Sequence, residues 1–231
     1  CVASLTIEQL LEMSGKNDSV MSDLLPMKMT YGAIQGSDQL RDAICTMYAK
    51  QTRENIVVTH GAIGANALVH ETLVEQGDHV ISVRPTYQQH YSIPESYGAE
   101  VEILHLRPEN GFLPDLQEFA AMVRPKTKLI VLNNPNNPTG SLMEAGFLDQ
   151  FIDIARGSDA YILCDEVYRG TNQTGDGFAP AMADIYKKGI SVAGMSKTFS
   201  LAGLRLGWIA GPLEVLEAVS IHRDYNTISV G

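Results

Sequence analysis

The sequence runs to 231 residues, 45% hydrophobic and 19% charged, enough apolar material for one large globular domain and too little charge for a disordered chain. A formal net charge of −10 excludes the broad basic face that a nucleic-acid binder or an anionic-membrane binder needs. Three cysteines without a CxxC pair and six scattered histidines predict reduced thiols in a cytoplasmic protein, with neither a disulfide framework nor a zinc site.

Taken in chain order, residues 1–30 read as a helical arm or linker and 31–231 as one large domain. From Ile56 onward, short continuous runs of Val, Ile and Leu recur at 56–60, 79–84, 100–106, 128–133, 161–166, 191–195 and 205–210. Runs of this kind predict strands buried on both faces. Amphipathic stretches at 65–76, 116–123 and 144–155 lie between them, punctuated by Gly, Asp and Pro. The alternation predicts an α/β fold, a three-layer αβα sandwich around a mostly parallel sheet of about seven strands. The last run follows its predecessor after a short loop and is expected to run antiparallel. The chain ends on residues 227–231, expected as strand, and its abrupt ends suggest a fragment. No apolar run is long enough to span a bilayer, and no basic-then-apolar leader opens the chain.

In an open α/β sheet, ligands sit beyond the carboxyl ends of the strands, and the polar residues of interest follow strands. Lys197 lies in Gly-Met-Ser-Lys-Thr-Phe-Ser, just after the sixth run. Alone it reads as a solvated surface lysine, but a buried amine can also form a Schiff base with a carbonyl cofactor. Eight positions on, Arg205 offers a planar fork for a phosphate dianion. Asp165 ends an otherwise apolar run, so its carboxylate needs a partner or water. A protonated pyridine nitrogen would serve, and Tyr168 is within reach of the same pocket. The loop Asn-Asn-Pro-Asn-Asn-Pro-Thr-Gly at 133–140 is stiff and follows a strand; its asparagines either satisfy backbone groups or face a ligand. The small residues at 59–68 allow backbone amides to approach an anion at a helix N-terminus, or simply allow close helix–sheet packing. They match neither a dinucleotide fingerprint nor a P-loop. Tyr87 reads equally as a stacking platform or a rim residue of the core.

In combination and order, the 133–140 loop, the Asp-Glu-Val-Tyr of 165–168 and the span from Ser196-Lys197 to Gly-Leu-Arg-Leu-Gly resemble the class I/II aminotransferases of fold type I. The resemblance runs from about Tyr31 to the end of the chain. It implies pyridoxal 5'-phosphate bound as a Schiff base to Lys197, which would also move the substrate proton. It further implies Asp165 on the pyridine nitrogen, Asn137 and Tyr168 on the ring's phenolic oxygen, and Tyr87 stacked on the ring. Backbone amides of Ala62 and Ile63, with Ser196 and Arg205, would hold the phosphate. Tyr31 would reach the phosphate of a partner subunit, so a homodimer is implied. Ile63 and Gly194 stand where many relatives carry side chains that help bind the phosphate, which leaves more to Arg205 and the amides. The C-terminal small domain, which holds the family's arginine for the substrate carboxylate, is absent from this sequence. A weaker likeness, in 106–112 and in Arg-Asp-Tyr-Asn-Thr at 223–227, is to the branch that includes capreomycidine synthase.

The expected activity is amino-group transfer between an amino acid and a 2-oxo acid. A lyase or cyclase outcome from the same cofactor is the alternative, because these motifs do not select which bond breaks. A regulator using the domain without turnover would need a DNA-binding module, and no basic helical segment of that kind is present.

Overall fold

Strands covered on both faces need apolar side chains in both directions, and the strand residues Leu129 to Leu132 supply them alternately to two separate cores. The computed structural model describes residues 3–15, 17–171 and 178–230. Cys1 and Gly231, on which expectations also fell, lie outside the described residues.

Helices α1 (Ile7–Ser14), α2 (Asn17–Leu24) and α3 (Asp38–Cys45) precede the sheet. Then follow β1 (Ile56–His60), α4 (Gly61–Leu73), β2 (His79–Arg84), α5 (Gln89–Ser96), β3 (Glu100–His105), α6 (Leu116–Met122), β4 (Thr127–Asn133) and α7 (Ala145–Ala155). The chain continues through β5 (Tyr161–Asp165), α8 (Met182–Ile185), β6 (Gly189–Gly194), β7 (Leu206–Ala210) and α9 (Leu213–Asn226). The seven strands form one sheet in the order β1-β7-β6-β5-β4-β2-β3. Strands β3, β2, β4, β5 and β6 are parallel, and β7 is antiparallel to both β6 and β1.

One face packs Val80, Val131 and Val192 against Leu68 and Val69 of α4 and Val215 and Val219 of α9. The other packs Ile130, Leu132 and Ile162 against Phe119 of α6 and Phe151 of α7, whose rings stack at 3.9 Å and 6°. Each such fully buried side chain contributes about 1.5–3 kcal/mol. A third cluster, built on Ile44, Tyr48 and Trp208, docks α3 to the β1–β7 edge. Three layers result, as expected.

The differences are local. Helix α4 begins directly after β1, four residues earlier than expected, and ends at Leu73, three residues earlier than expected. Strand β7 starts after Arg205 because that residue takes a left-handed φ of 50°. Helix α5 was not anticipated: Pro94 inside it removes a donor and argues against a helix. Helix α9 was missed because its buried stripe of Val215, Leu216 and Val219 ends on an arginine, Arg223. The strand expected at 227–231 is not one. Residues 227–229 turn instead, with the Thr227 and Ile228 amides both donating to the Arg223 carbonyl, at 2.9 and 3.3 Å.

Candidate active site

A cleft of about 270 Å³ opens at the carboxyl end of the sheet. Nine of the ten residues singled out in the sequence border it: Ala62, Ile63, Tyr87, Asn137, Asp165, Tyr168, Ser196, Lys197 and Arg205. The tenth, Tyr31, lies outside this cleft, ahead of α3, and is 77% exposed. Five strand ends or strand–helix junctions converge here, so residues far apart in sequence meet without long loops.

Asp165 ends β5 and is buried. Its Oδ2 accepts from Asn66 Nδ2 at 2.8 Å, and its Oδ1 accepts from the Val167 amide at 3.1 Å. The imidazole Nε2 of His90 stands 3.3 Å from Oδ2, without hydrogen-bond alignment. Each carboxylate oxygen therefore retains acceptor capacity toward the cleft.

The asparagine loop divides its labour. Asn133 donates to the Asp165 carbonyl at 2.8 Å and its Oδ1 accepts from the Asn137 amide at 2.6 Å. Asn134 bonds reciprocally with the Met143 backbone, and Asn136 donates to the Pro85 carbonyl. Three asparagines thus satisfy backbone groups. The Asn137 side chain has no such bond among the described residues and faces the cleft.

Lys197 sits on the turn after β6, half-buried, with its Nζ 5.9 Å from the centre of the Tyr168 ring. Thr198 staples this turn to the segment carrying Tyr168, donating to the Val167 and Arg169 carbonyls at 3.1 and 2.9 Å. The turn carrying Lys197 and the segment carrying Tyr168 are therefore tied together.

Glycines bring the anion-binding end together. A Cβ on Gly207 would fall 2.3 Å from the Gly61 carbonyl carbon, and one on Gly61 would fall 2.7 Å from Arg205 Nη2. Only without those carbons does the N-terminus of α4 close onto β7 and the guanidinium. The N-cap His60 makes no side-chain capping bond, so the first-turn amides of α4 stay open toward the cleft.

Sequence reasoning missed Asn66, Asn133, Val167 and Ala202 in the wall, and His90 behind it. The available signal for His90 is its place three residues after Tyr87. For Asn66 it is a polar residue on the buried face of a small-residue helix. Burial also perturbs groups behind the wall. It pushes the Glu166 carboxyl up to about 7 and the His70 imidazole down to about 3, the latter helped by neighbouring His90. The buried Cys164 thiol is likewise pushed up.

Comparison with known proteins accords with this geometry. The family "Aminotransferase class I and II" matches residues 24–229. The chain belongs to the class I and II aminotransferase family. A PLP-dependent aminotransferase from Streptococcus suis has a solved structure that superposes with a TM-score of 0.96 at 43% identity, covering 100% of this chain and 61% of that one. The aspartate/prephenate aminotransferase of Thermus thermophilus is 29% identical over 207 residues, 87% of this chain and 54% of that protein. Capreomycidine synthase of Streptomyces vinaceus is 30% identical over 199 residues, 86% of this chain and 51% of that protein. The chain thus spans about half the length of the curated relatives it matches.

The residues present fit pyridoxal phosphate. A carboxylate with spare acceptor capacity suits a protonated ring nitrogen, and Arg205 with the open α4 amides suits a phosphate. A lysine with no carboxylate partner among the described residues suits a carbonyl. No group of three or more His, Cys, Asp or Glu among the described residues is arranged to hold a metal. No described helix is long and apolar enough to cross a membrane.

Proposed function

We propose that this chain is the cofactor-binding domain, over 31–231 with the arm 1–30 before it, of a pyridoxal-phosphate aminotransferase that moves an amino group between an amino acid and a 2-oxo acid. The single observation that carries the reading is one cleft bordered by Lys197, Asp165 and Arg205. The bound cofactor supplies an electron sink for negative charge developing on the substrate's α-carbon.

The residues divide the work. Asp165 would hold a proton on the ring nitrogen, and the Asn66 and Val167 donors fix its carboxylate. Arg205, Ser196 and the Ala62 and Ile63 amides would hold the phosphate. Asn137 and Tyr168 would donate to the phenolic oxygen, and Tyr87 would cover one ring face. Lys197 would hold the cofactor through its carbonyl carbon, and its Nζ, freed for substrate, would serve as the base and acid for the substrate's α-proton. Tyr168, tied to the Lys197 turn through Thr198, keeps that amine aimed. Tyr31, exposed outside the cleft, would reach the partner's phosphate in a homodimer. Free thiols at Cys45 and Cys164 support a cytoplasmic location.

The test is a pair of assays on the full-length protein with the cofactor. Transfer to a 2-oxo acid, abolished together with the visible absorbance in Lys197→Ala, supports the reading; an unchanged spectrum in that variant overturns it. The 30% identity to capreomycidine synthase favours a second reading, elimination or cyclisation by the same residues. Turnover without any 2-oxo acid, with release of ammonia or thiol, would select that second reading.

A further inference from the structure

Arg223, in the segment at 223–227 that the cofactor site does not use, occupies the last buried position of α9. It is 1% exposed. Among the described residues its side chain makes one hydrogen bond, from Nη1 to the Val58 carbonyl at 3.3 Å, and Nε and Nη2 have no partner. A guanidinium buried with so little compensation is costly, and an apolar residue of similar volume would cost less there. Its position suggests what it does.

Val58 is the middle of β1, which pairs only with β7 and so has a free edge. On that edge the Val58 amide donates to the Gln35 carbonyl at 3.0 Å, while the Val58 carbonyl accepts from Arg223. The 31–36 segment and Arg223 therefore close the same residue from its two backbone groups. The path of that segment is narrow. Gly36 has a φ of +99°, and a Cβ on it would fall 2.3 Å from Val58 Cγ2. A Cβ on Gly32 would fall 3.0 Å from the Val230 carbonyl, in the turn that follows α9. Arg41 holds Gln35 from the other side, with Nη1 2.9 Å from Oε1. Tyr31 stands immediately before this clamped stretch and is exposed.

We infer that Arg223 is a positioning residue for Tyr31: it fixes the root of the 31–36 segment on the edge of β1, so that Tyr31 leaves the domain in the direction that reaches the partner subunit's cofactor phosphate. The inference rests on the reading of Tyr31 given above.

The experiment is a cofactor-affinity cycle on the full-length protein with pyridoxal phosphate, using Tyr31→Phe, Arg223→Met, Arg223→Lys and the Met/Phe double variant. Unfolding by urea is followed in parallel. Loss of the tyrosine hydroxyl is expected to loosen the cofactor about tenfold, the size of one hydrogen bond to a charged group. Arg223→Met is expected to loosen it by a similar factor, and the double variant no further, since both changes remove the same contact. Arg223→Lys keeps one donor for the Val58 carbonyl and serves in place of Arg223→Met if that variant fails to fold; its loosening disappears in the Tyr31→Phe background. Multiplicative effects of about a hundredfold in the double variant, or unchanged affinity in the Arg223 variants beside a weakened Tyr31→Phe, overturn the inference. Unchanged affinity in Tyr31→Phe alone removes the dimer reading beneath it.

Discussion

Glu166 follows Asp165 in sequence but turns away from the cleft. Its Oε1 accepts from the Met182 amide at 2.7 Å and from Ser191 Oγ at 2.8 Å, while Oε2 is buried without a partner. Burial raises its carboxyl from 4.5 to about 7, against the opposing pull of Arg169. The folded protein thus holds this proton more tightly than the unfolded chain does. The stabilisation is complete below about pH 4.5 and is lost as pH rises to about 7, a total of about 3 kcal/mol. His70 works in the opposite sense: its folded value of about 3 lies below the ordinary 6.5. Its contribution is present above pH 6.5 and is lost as pH falls toward 3. Between about pH 4.5 and 6.5 the two slopes cancel, so the wild-type curve hides both. Glu166→Gln separates them, because the amide oxygen still accepts both donors and the site never ionises. Urea unfolding of wild type and variant across this range should give a stability difference that moves by about 3 kcal/mol in the variant's favour from pH 4.5 to 8. That corresponds to about 6–12 °C in Tm for a domain of this size. A difference curve flat with pH would refute the reasoning, whatever its absolute offset.

Asp165→Asn keeps the acceptor for Asn66 but removes the charge, so turnover is expected to fall at least about a hundredfold while Lys197 still takes up the cofactor; turnover near wild type would show that the carboxylate is dispensable. Phe151→Ala removes a fully buried ring stacked on Phe119 and should cost about 3–5 kcal/mol in urea unfolding. A cost below about 1 kcal/mol would mean that the packing there is looser than described. Gly207→Ala places a carbon 2.3 Å from the Gly61 carbonyl carbon, forcing the start of α4 off the sheet. Cofactor affinity should drop even where the fold survives, and unchanged affinity would argue against α4 as the phosphate seat.

The strands were legible because a sheet covered on both faces demands uninterrupted apolar runs, and those runs appear in the sequence almost residue for residue. The antiparallel β7 was legible from the short loop before it. Helices α5 and α9 were not, because each breaks a local rule for a tertiary reason. Pro94 lies within α5, and Arg223 takes a core position in α9 to meet the edge of β1. In the site, residues at strand ends could be read from position alone. Asn66 and His90 could not, since each reaches Asp165 from a helix whose rotation the sequence does not display. The resemblance of 223–227 to one branch of the family marked that segment without giving it work. Its buried arginine was visible only once α9 was seen against Val58.

The most direct measurement is to incubate the protein with pyridoxal phosphate, reduce it with borohydride, digest it and locate the pyridoxyl group by mass spectrometry. The account predicts one modified residue, Lys197, with the label lost when excess phosphate competes at Arg205 and the α4 amides. Label spread over other lysines, or none on Lys197, would contradict it.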